Sequence, residues 1–238
     1  MKALLVFSGG QDSTTCLAWA LNRYERVTTV GFAYGQRHLV EMQCRTAILE
    51  RIRSDTTLPA VWAGRLGEDT VLDLNVLAQI GGTSLTDDMA IAMQDNGLPN
   101  SFVPGRNLLF LTAAAALAYR QGAEHIITGV GEADYSGYPD CREATIRALE
   151  AALNLGTEHN FSLLSPLMHL DKAATWQLAL AEGGDTFVEL VRTMTHTCYE
   201  GERTTLHAWG HGCGQCPACV LRARGWDAFA NIQHPKGA

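Results

Sequence analysis

Short apolar runs alternate with segments of helical periodicity along the first 63 residues. A strand is predicted at residues 2–7, where an unbroken apolar run from Ala3 to Phe7 is expected of a parallel strand buried on both faces. Helical spacing follows over residues 12–24, and the pattern then repeats as a strand at 27–33, a helix at 40–53 and a short third strand at 60–63. This order predicts an α/β fold with a doubly wound, mainly parallel sheet.

The repeating pattern breaks between residues 64 and 104. This segment carries Gly81-Gly82 and Gly97-Leu98-Pro99, and we predict a long excursion with little regular structure. A loop of this length inside a compact domain is usually functional or mobile, so we interpret it as a lid. The elements predicted after it are a helix at 107–121, a strand at 125–128, a helix at 142–155, a strand at 161–164, a helix at 172–182 and a C-terminal helix at about 220–230.

Length and composition favour one α/β domain with a small lobe attached. The chain has 238 residues, of which 47% are hydrophobic, enough for a sizeable core. We divide it into a nucleotide-binding α/β domain at residues 1–190, which includes the excursion, and a cysteine-rich lobe with a terminal helix at 191–238.

Charge and hydropathy exclude two classes of partner. The net charge is −7 and no Lys/Arg-rich run occurs, which argues against direct binding to nucleic acid. The longest apolar stretch, residues 108–119, is too short to span a bilayer, and the N-terminal apolar run is too short for a signal peptide. We therefore expect a cytoplasmic protein without a membrane partner.

The sequence Ser8-Gly9-Gly10-Gln11-Asp12-Ser13 lies where the first predicted strand meets the first helix. Ligands of open α/β sheets bind beyond the carboxyl ends of the strands. Two glycines allow backbone N–H groups to approach an anion, the serines add hydroxyl donors, and the helix N-terminus supplies positive potential. No lysine follows, as it would in a Walker-type loop, but Asp12 is suited to help hold Mg²⁺. The alternative is an ordinary strand-to-helix turn with Asp12 or Ser13 as the helix cap.

Four of the seven cysteines fall in the last third of the chain. Cys198, Cys213, Cys216 and Cys219 have the spacing C-x14-C-x2-C-x2-C, which suits a closed, structural tetrahedral Zn²⁺ site with one ion per chain. An iron–sulfur cluster is the competing interpretation, since it also takes four cysteines. His207 and His211 lie between the first two cysteines, and either could replace a cysteine as ligand.

Polar residues follow three other predicted strands or glycine turns. Arg106 comes after Pro-Gly at a helix start, where the helix dipole disfavours a cation, so we expect it to reach a phosphate or a substrate carboxylate. Tyr138 could stack on a flat base, and Asp140 could accept hydrogen bonds from a guanine-like amino group or cap a helix. Tyr34, Gln36 and Arg37 follow the second strand at the same edge, either as ligand contacts or as a polar turn.

The 8–13 segment resembles the SGGxDS loop of PP-loop ATP pyrophosphatases, which split ATP between the α- and β-phosphates. Four further stretches resemble one branch, the 7-cyano-7-deazaguanine synthase (QueC) family. They are Tyr34-Gly35-Gln36-Arg37-His38, Val103-Pro104-Gly105-Arg106-Asn107, Ser136-Gly137-Tyr138-Pro139-Asp140-Cys141-Arg142 and Pro166-Leu167-Met168-His169-Leu170-Asp171-Lys172. Together with the loop and the cysteines these stretches span almost the whole chain.

The resemblance implies an ATP-dependent carbon–nitrogen ligase that converts 7-carboxy-7-deazaguanine and ammonia to the 7-cyano base through adenylated intermediates. It also implies Mg²⁺ with ATP, a homodimer, and a PP-loop fold. Catalytic roles would fall to Ser8, Asp12, Ser13 and Arg106, and substrate contacts to Tyr34, Gln36, Arg37, Arg106, Tyr138 and Asp140. The ATP-binding residues would be Phe7, Ser8, Gly9, Gly10, Gln11, Asp12, Ser13, Thr14, Thr15, Cys16 and Leu17.

Two departures from the family pattern leave alternatives open. The span from Cys198 to Cys213 is longer than usual, and Gly131 stands where relatives tend to carry a larger residue, which could change the pocket wall. A related PP-loop ligase for another carboxylated deazapurine is therefore the nearest rival. A zinc-stabilised nucleotide-binding protein without turnover is the rival from another class.

Overall fold

The computed structural model describes residues 1–36, 40–85, 87, 89, 92–95, 97–132 and 137–233. Within these residues a sheet of five parallel strands has the order β3-β2-β1-β4-β5. The strands are β1 (Lys2–Val6), β2 (Arg26–Ala33), β3 (Leu66–Asp73), β4 (His125–Ile127) and β5 (Ser162–Leu164). Because β1 is central and the order reverses beside it, ligands are expected at its carboxyl end.

Helices cover both faces of this sheet. They are α1 (Gln11–Arg23), α2 (Val40–Ser54), α3 (Val61–Arg65), α4 (Val76–Ile80), α5 (Arg106–Gln121), α6 (Glu143–Thr157), α7 (Lys172–Met194) and α8 (Pro217–Gln233). One core cluster joins one face of the sheet to α1, α2 and α7, and a second joins the other face to α5 and α6. The predicted doubly wound α/β fold is therefore confirmed. Among the described helices, none combines the length and apolarity needed to cross a bilayer.

The predicted third strand is wrong. Residues 60–63 were expected to be extended, but they lie at the start of the short helix α3, and the strand β3 begins only at Leu66. It therefore occupies the first part of the 64–104 segment, which was predicted to lack regular structure. β3 lies at the sheet edge and exposes alternate residues, so its sequence LGEDTVLD does not look like a buried parallel strand. The short helix α4 also lies in this segment.

The other predicted elements are confirmed, with boundaries shifted mostly by one to three residues. The exception is α7, predicted to end at residue 182. It continues to Met194 past an interruption at Gly184, where φ is +70°. A glycine pair is a common stop signal, but here the chain re-enters helical geometry after it. The division of the chain at residue 190 stays a prediction.

The cysteine-rich lobe is built on a small hairpin and α8. The hairpin pairs β6 (Leu206–His207) with β7 (Gly210–His211) in antiparallel register. Trp226 of α8 contacts Trp176 of α7 edge-on, with ring centroids 4.9 Å apart. The terminal helix therefore joins the lobe to the core of the α/β domain.

Phe187→Ala should destabilise the fold by about 3–5 kcal/mol, because it removes a fully buried ring. Phe187 contacts Trp62 edge-on, with ring centroids 5.1 Å apart, and both side chains are inaccessible to solvent. Urea unfolding followed by circular dichroism measures the change. Leu155→Ala is the control, since Leu155 is 83% exposed and its truncation should change the free energy of unfolding by less than about 0.5 kcal/mol. Equal effects of the two substitutions would contradict the packing described here.

Candidate active site and metal centre

The 8–13 loop turns back on itself directly after β1. Ser13 Oγ accepts hydrogen bonds from the backbone N–H groups of Ser8 at 3.2 Å and Gly9 at 3.3 Å. Ser8 Oγ accepts one from Gly10 N at 3.1 Å, and the two hydroxyl oxygens are 3.1 Å apart. The loop therefore gathers backbone N–H groups and two hydroxyls at the N-terminus of α1, a geometry suited to anions.

Gly9 is required both by its conformation and by close contacts, whereas Gly10 has ordinary extended backbone angles and lies in tight contact with its neighbours. Gly9 has φ +92°, and a Cβ there would lie 2.5 Å from the Glu41 carbonyl oxygen and 2.7 Å from Arg45 N. A Cβ on Gly10 would lie 3.2 Å from Glu41 Oε1 and 3.3 Å from the His196 carbonyl oxygen. The loop is therefore enclosed by the first turn of α2 on one side and residues 195–198 on the other.

Lys172 supplies the cation that is missing from the loop sequence. It is the first residue of α7, and its Nζ lies 2.7 Å from Asp12 Oδ2. Asp12 Oδ1 is buried and accepts no hydrogen bond from the described part of the chain, so it is available to a ligand. Lys172 ends the fourth family-like stretch, but no role was predicted for it. Its contact with Asp12 cannot be read from the sequence, because the two residues are 160 positions apart.

The remaining predicted ATP-binding residues are two threonines, three core residues and Gln11. The hydroxyls of Thr14 and Thr15 donate to the Gly10 and Gln11 carbonyl oxygens within α1. Phe7, Cys16 and Leu17 are fully buried in the core and support the loop from behind. The Gln11 amide is different, because its oxygen and nitrogen are both buried and neither bonds to any described residue. Buried polar groups are normally paired, so this amide is a further candidate ligand contact.

Arg106 lies beside Tyr34, on the side of the site where substrate contacts were predicted. Its guanidinium carbon is 5.9 Å from the Tyr34 ring centroid. Burial lowers the pKa of Arg106, but Tyr34, Tyr138 and Asp140 offset this and leave the pKa raised. Arg106 therefore carries its positive charge throughout the neutral pH range.

Asp140 and Tyr138 make internal contacts that hold this side of the site together. Asp140 Oδ2 accepts a hydrogen bond from Asn107 N at 3.0 Å, so its carboxylate anchors the N-terminus of α5 next to Arg106. Tyr138 is 7% exposed, and its hydroxyl is 2.7 Å from Ser101 Oγ. The predicted capping role of Asp140 is met on α5 and not on the helix that follows it in sequence. Contacts of either residue with a substrate stay predictions.

The predicted residues after β2 are described only in part. Gln36 closes a turn, since its Oε1 accepts from Tyr34 N at 2.9 Å and its Nε2 donates to the Phe32 carbonyl oxygen at 3.4 Å. Arg37 lies outside the described residues.

Gly131 lines a small cavity beside Asp12 together with Leu167. A Cβ at Gly131 would lie 2.9 Å from the Leu167 carbonyl oxygen, so a larger residue would require that backbone to move. Gly131 therefore permits the close contact between the Leu167 backbone and the chain after β4.

The four predicted cysteine ligands converge. The sulfur atoms of Cys198, Cys213, Cys216 and Cys219 lie within 4.8 Å of one another. Cys213 Sγ accepts hydrogen bonds from Gln215 N at 3.4 Å and Cys216 N at 3.3 Å, which positions this sulfur. A hydrogen bond with Cys219 lowers the pKa of the Cys216 thiol to about 5. Such a group of thiolates can hold a metal ion.

Neither His207 nor His211, the two alternative ligands, belongs to this sulfur group. His207 Nε2 lies 2.9 Å from the Gly212 carbonyl oxygen, and its ring stacks on Trp209 with centroids 4.6 Å apart. Burial lowers the pKa of His211, and the nearby arginines Arg203 and Arg222 lower it further. The geometry therefore favours a four-cysteine ligand set.

A buried arginine connects the cysteine lobe to the residues that contact the loop. Arg222 of α8 is inaccessible to solvent and donates to the Val191 carbonyl oxygen at 2.9 Å and to Thr197 Oγ1 at 2.8 Å. Cys198 follows Thr197 directly, and His196 N donates to the Gly9 carbonyl oxygen at 3.4 Å. Three consecutive residues, 196–198, thus link the 8–13 loop, Arg222 and the cysteine cluster.

Comparison with known proteins gives a match over nearly the full length. A family model described as queuosine biosynthesis protein QueC matches residues 2–230. The 7-cyano-7-deazaguanine synthase of Acidovorax sp. (strain JS42) is 57% identical over 237 residues, which cover 100% of this chain and 97% of the relative. That of Alkalilimnicola ehrlichii is 62% identical over 224 residues, covering 94% and 93%.

A solved structure of a 4-thiouridine synthetase–RNA complex with bound ATP has a similar fold. The TM-score is 0.52 at 17% sequence identity, and the match covers 98% of this chain and 51% of that one. At this identity the likeness concerns the fold alone.

Cys213→Ser should reduce the bound metal from about one ion per chain to well below that, because a hydroxyl is a poor replacement for a thiolate ligand. Elemental analysis of the purified protein measures metal content, and thermal unfolding measures the accompanying loss of stability. Cys44→Ala is the matched control, since Cys44 lies on the core-facing side of α2 and outside the sulfur group. Unchanged metal content in Cys213→Ser would contradict the four-cysteine assignment.

Proposed function

The chain belongs to the QueC family of queuosine biosynthesis proteins, and on this premise we propose that it converts 7-carboxy-7-deazaguanine and ammonia to 7-cyano-7-deazaguanine at the expense of ATP. Relatives that carry the name of this synthase are 57–62% identical to it over nearly their whole length. The proposed use of ATP is supported by the geometry of the 8–13 loop. Its backbone N–H groups and hydroxyls lie together at the carboxyl end of β1, beside the ion pair of Asp12 and Lys172.

The proposed chemistry explains why ATP is needed. A carboxylate is a poor acyl donor because its oxygen leaves badly. Attack of the carboxylate on the α-phosphate would give an acyl-adenylate and pyrophosphate, and ammonia would then displace AMP to form the amide. A second adenylation, on the amide oxygen, would make that oxygen a leaving group and permit the nitrile.

Residues of the loop would act on the phosphates. Backbone N–H groups of Gly9 and Gly10 and the hydroxyls of Ser8 and Ser13 would bind pyrophosphate, and Lys172 adds positive charge nearby. The free Oδ1 of Asp12 suits a ligand to Mg²⁺, which would neutralise phosphate charge when bound with ATP.

The other side of the site would bind the deazapurine. Arg106 would pair with the carboxylate or stabilise charge that develops on it, and Tyr34 lies beside the guanidinium. We retain Gln36, Arg37, Tyr138 and Asp140 as proposed substrate contacts. Asp140 also positions Arg106 through Asn107 N.

The cysteine cluster would hold one structural Zn²⁺ per chain. Four thiolates close a tetrahedral site and leave no position for substrate, and the donor type fits zinc. An iron–sulfur cluster is the alternative for the same four ligands. A homodimer, a cytoplasmic location and the lack of direct nucleic-acid binding are further proposals.

The proposal is tested by a turnover assay with ATP, ammonium and 7-carboxy-7-deazaguanine, with products identified by mass. We expect AMP, pyrophosphate, the amide and then the nitrile. Ser8→Ala and Asp12→Asn should each lower turnover about 100-fold or more, because each removes a group that stabilises phosphate charge. Ser54→Ala, at the exposed end of α2, is the control and should retain full activity.

Two other outcomes would support a rival function. AMP formation only with another carboxylate would favour the related PP-loop ligase. Folded, metal-loaded protein that binds ATP without cleaving it, whatever the acceptor, would favour the nucleotide-binding protein without turnover. Full activity of both loop variants would refute the role of the loop.

A further inference from the structure

Glu41 is an acidic residue of the candidate site to which no role has been assigned so far. It is the second residue of α2, and the first turn of this helix covers the 8–13 loop. Its Oε1 lies 3.2 Å from the position that a Cβ on Gly10 would occupy, so the carboxylate faces the loop directly. A Cβ at residue 10 would press on this carboxylate, and Gly10 leaves the space in front of it open.

The carboxylate of Glu41 lies near both halves of the site. It interacts electrostatically with Arg106, the proposed substrate contact, and with Asp12 of the loop. Its surroundings also include Tyr34, just after the end of β2, and Cys44, one turn further along α2. Burial raises the pKa of the Tyr34 phenol and of the Cys44 thiol, and the charge of Glu41 raises both pKa values further. Glu41 is therefore placed where a substrate carboxyl group held by Arg106 would meet the phosphates of ATP.

The protonation state of Glu41 suits proton transfer near neutral pH. Burial raises the pKa of this carboxyl group to about 7, Arg106 lowers it and Asp12 raises it. A base works best when its pKa is close to the working pH, because it is then both deprotonated and able to hold a proton. A carboxylate with an ordinary pKa would be a weaker acceptor.

We propose that Glu41 is the proton acceptor in the two steps in which AMP leaves, an inference that rests on the proposed function. In the first round, the nitrogen lone pair of ammonia forms the bond to the acyl carbon, one N–H proton passes to the Glu41 carboxylate, and the C–O bond to AMP breaks with its electron pair. The products are the amide and AMP, and Glu41 returns its proton to solvent.

The second round uses the same acceptor. The amide oxygen attacks the α-phosphate, pyrophosphate leaves, and the O-adenylated amide releases one of its two N–H protons to solvent. Its remaining N–H proton then passes to Glu41, the electron pair of that bond completes the carbon–nitrogen triple bond, and the C–O bond to AMP breaks. Neither step requires an oxidant or a further reactant. Adenylation of the carboxylate, which precedes both, consumes no base.

Glu41→Gln separates adenylation from proton transfer. Exchange of labelled pyrophosphate into ATP, dependent on 7-carboxy-7-deazaguanine, reports adenylation and should stay within about threefold of the unaltered protein. Single-turnover formation of the amide from ammonium should fall about 100-fold. The pH dependence is measured with the concentration of free ammonia held constant, because its share of total ammonium itself rises with pH. Under that condition the amide-forming rate of the unaltered protein should rise through about pH 7, as the Glu41 carboxyl group ionises, and this rise should be missing in Glu41→Gln.

Glu50→Gln is the matched control, since Glu50 is exposed on the same helix and should leave exchange and amide formation unchanged. Loss of exchange in Glu41→Gln as large as the loss of amide formation would overturn the proposal and indicate a role in metal or phosphate binding. Amide formation at the unaltered rate would overturn it as well. If the unaltered protein shows neither exchange nor amide, the proposed function itself fails, which distinguishes the two failures.

Discussion

Close backbone contact at Gly9 and Gly10 determines where the rest of the candidate site lies. Three segments that are distant in sequence meet there: the loop after β1, the first turn of α2, and residues 195–198. A side chain at Gly9 would separate the first two, because a Cβ there would lie 2.5 Å from the Glu41 carbonyl oxygen. The contact places the Glu41 carboxylate, the loop donors and the approach to the cysteine cluster within one compact region.

Two buried arginines stabilise this meeting point from opposite sides. Arg45 lies behind the loop, where its Nε donates to the Phe7 carbonyl oxygen at 3.1 Å and its Nη2 pairs with Asp69 of β3. Gly31 leaves room for that guanidinium, since a Cβ there would lie 2.4 Å from Arg45 Nη1. Arg222 holds the end of α7 and Thr197 on the other side. Buried charges are costly unless they are paired or hydrogen-bonded, so each guanidinium requires the contacts that surround it.

Local sequence patterns predicted much of the fold, the position of the 8–13 loop and the convergence of the four cysteines. The apolar run before Ser8 and the glycine pair predicted the position of the loop, and the spacing of the cysteines predicted that their sulfur atoms converge. Both signals lie within short stretches of the chain. The edge strand β3 was missed because half of its side chains are solvent-exposed, so it lacks the apolar run of a central strand.

Contacts between distant residues could not be predicted in this way. Lys172 meets Asp12 across 160 residues, and its role depends on how α7 is placed beside α1. Asp140 was predicted as a possible cap of the helix that follows it. Its carboxylate instead accepts a hydrogen bond at the start of α5, more than 30 residues earlier in the sequence. Glu41 looks like an ordinary acidic residue at a helix start, and only the contact of that helix with the loop gives it a raised pKa.

The central claim is that the substrate carboxylate attacks the α-phosphate of ATP at the 8–13 loop. The most direct test uses 7-carboxy-7-deazaguanine labelled with ¹⁸O in its carboxylate and follows the label by mass spectrometry. Attack on the α-phosphate predicts ¹⁸O in AMP and none in pyrophosphate, with both carboxylate oxygens lost to AMP by the time the nitrile forms. Label in inorganic phosphate or pyrophosphate, or unlabelled AMP accompanying product formation, would contradict the account.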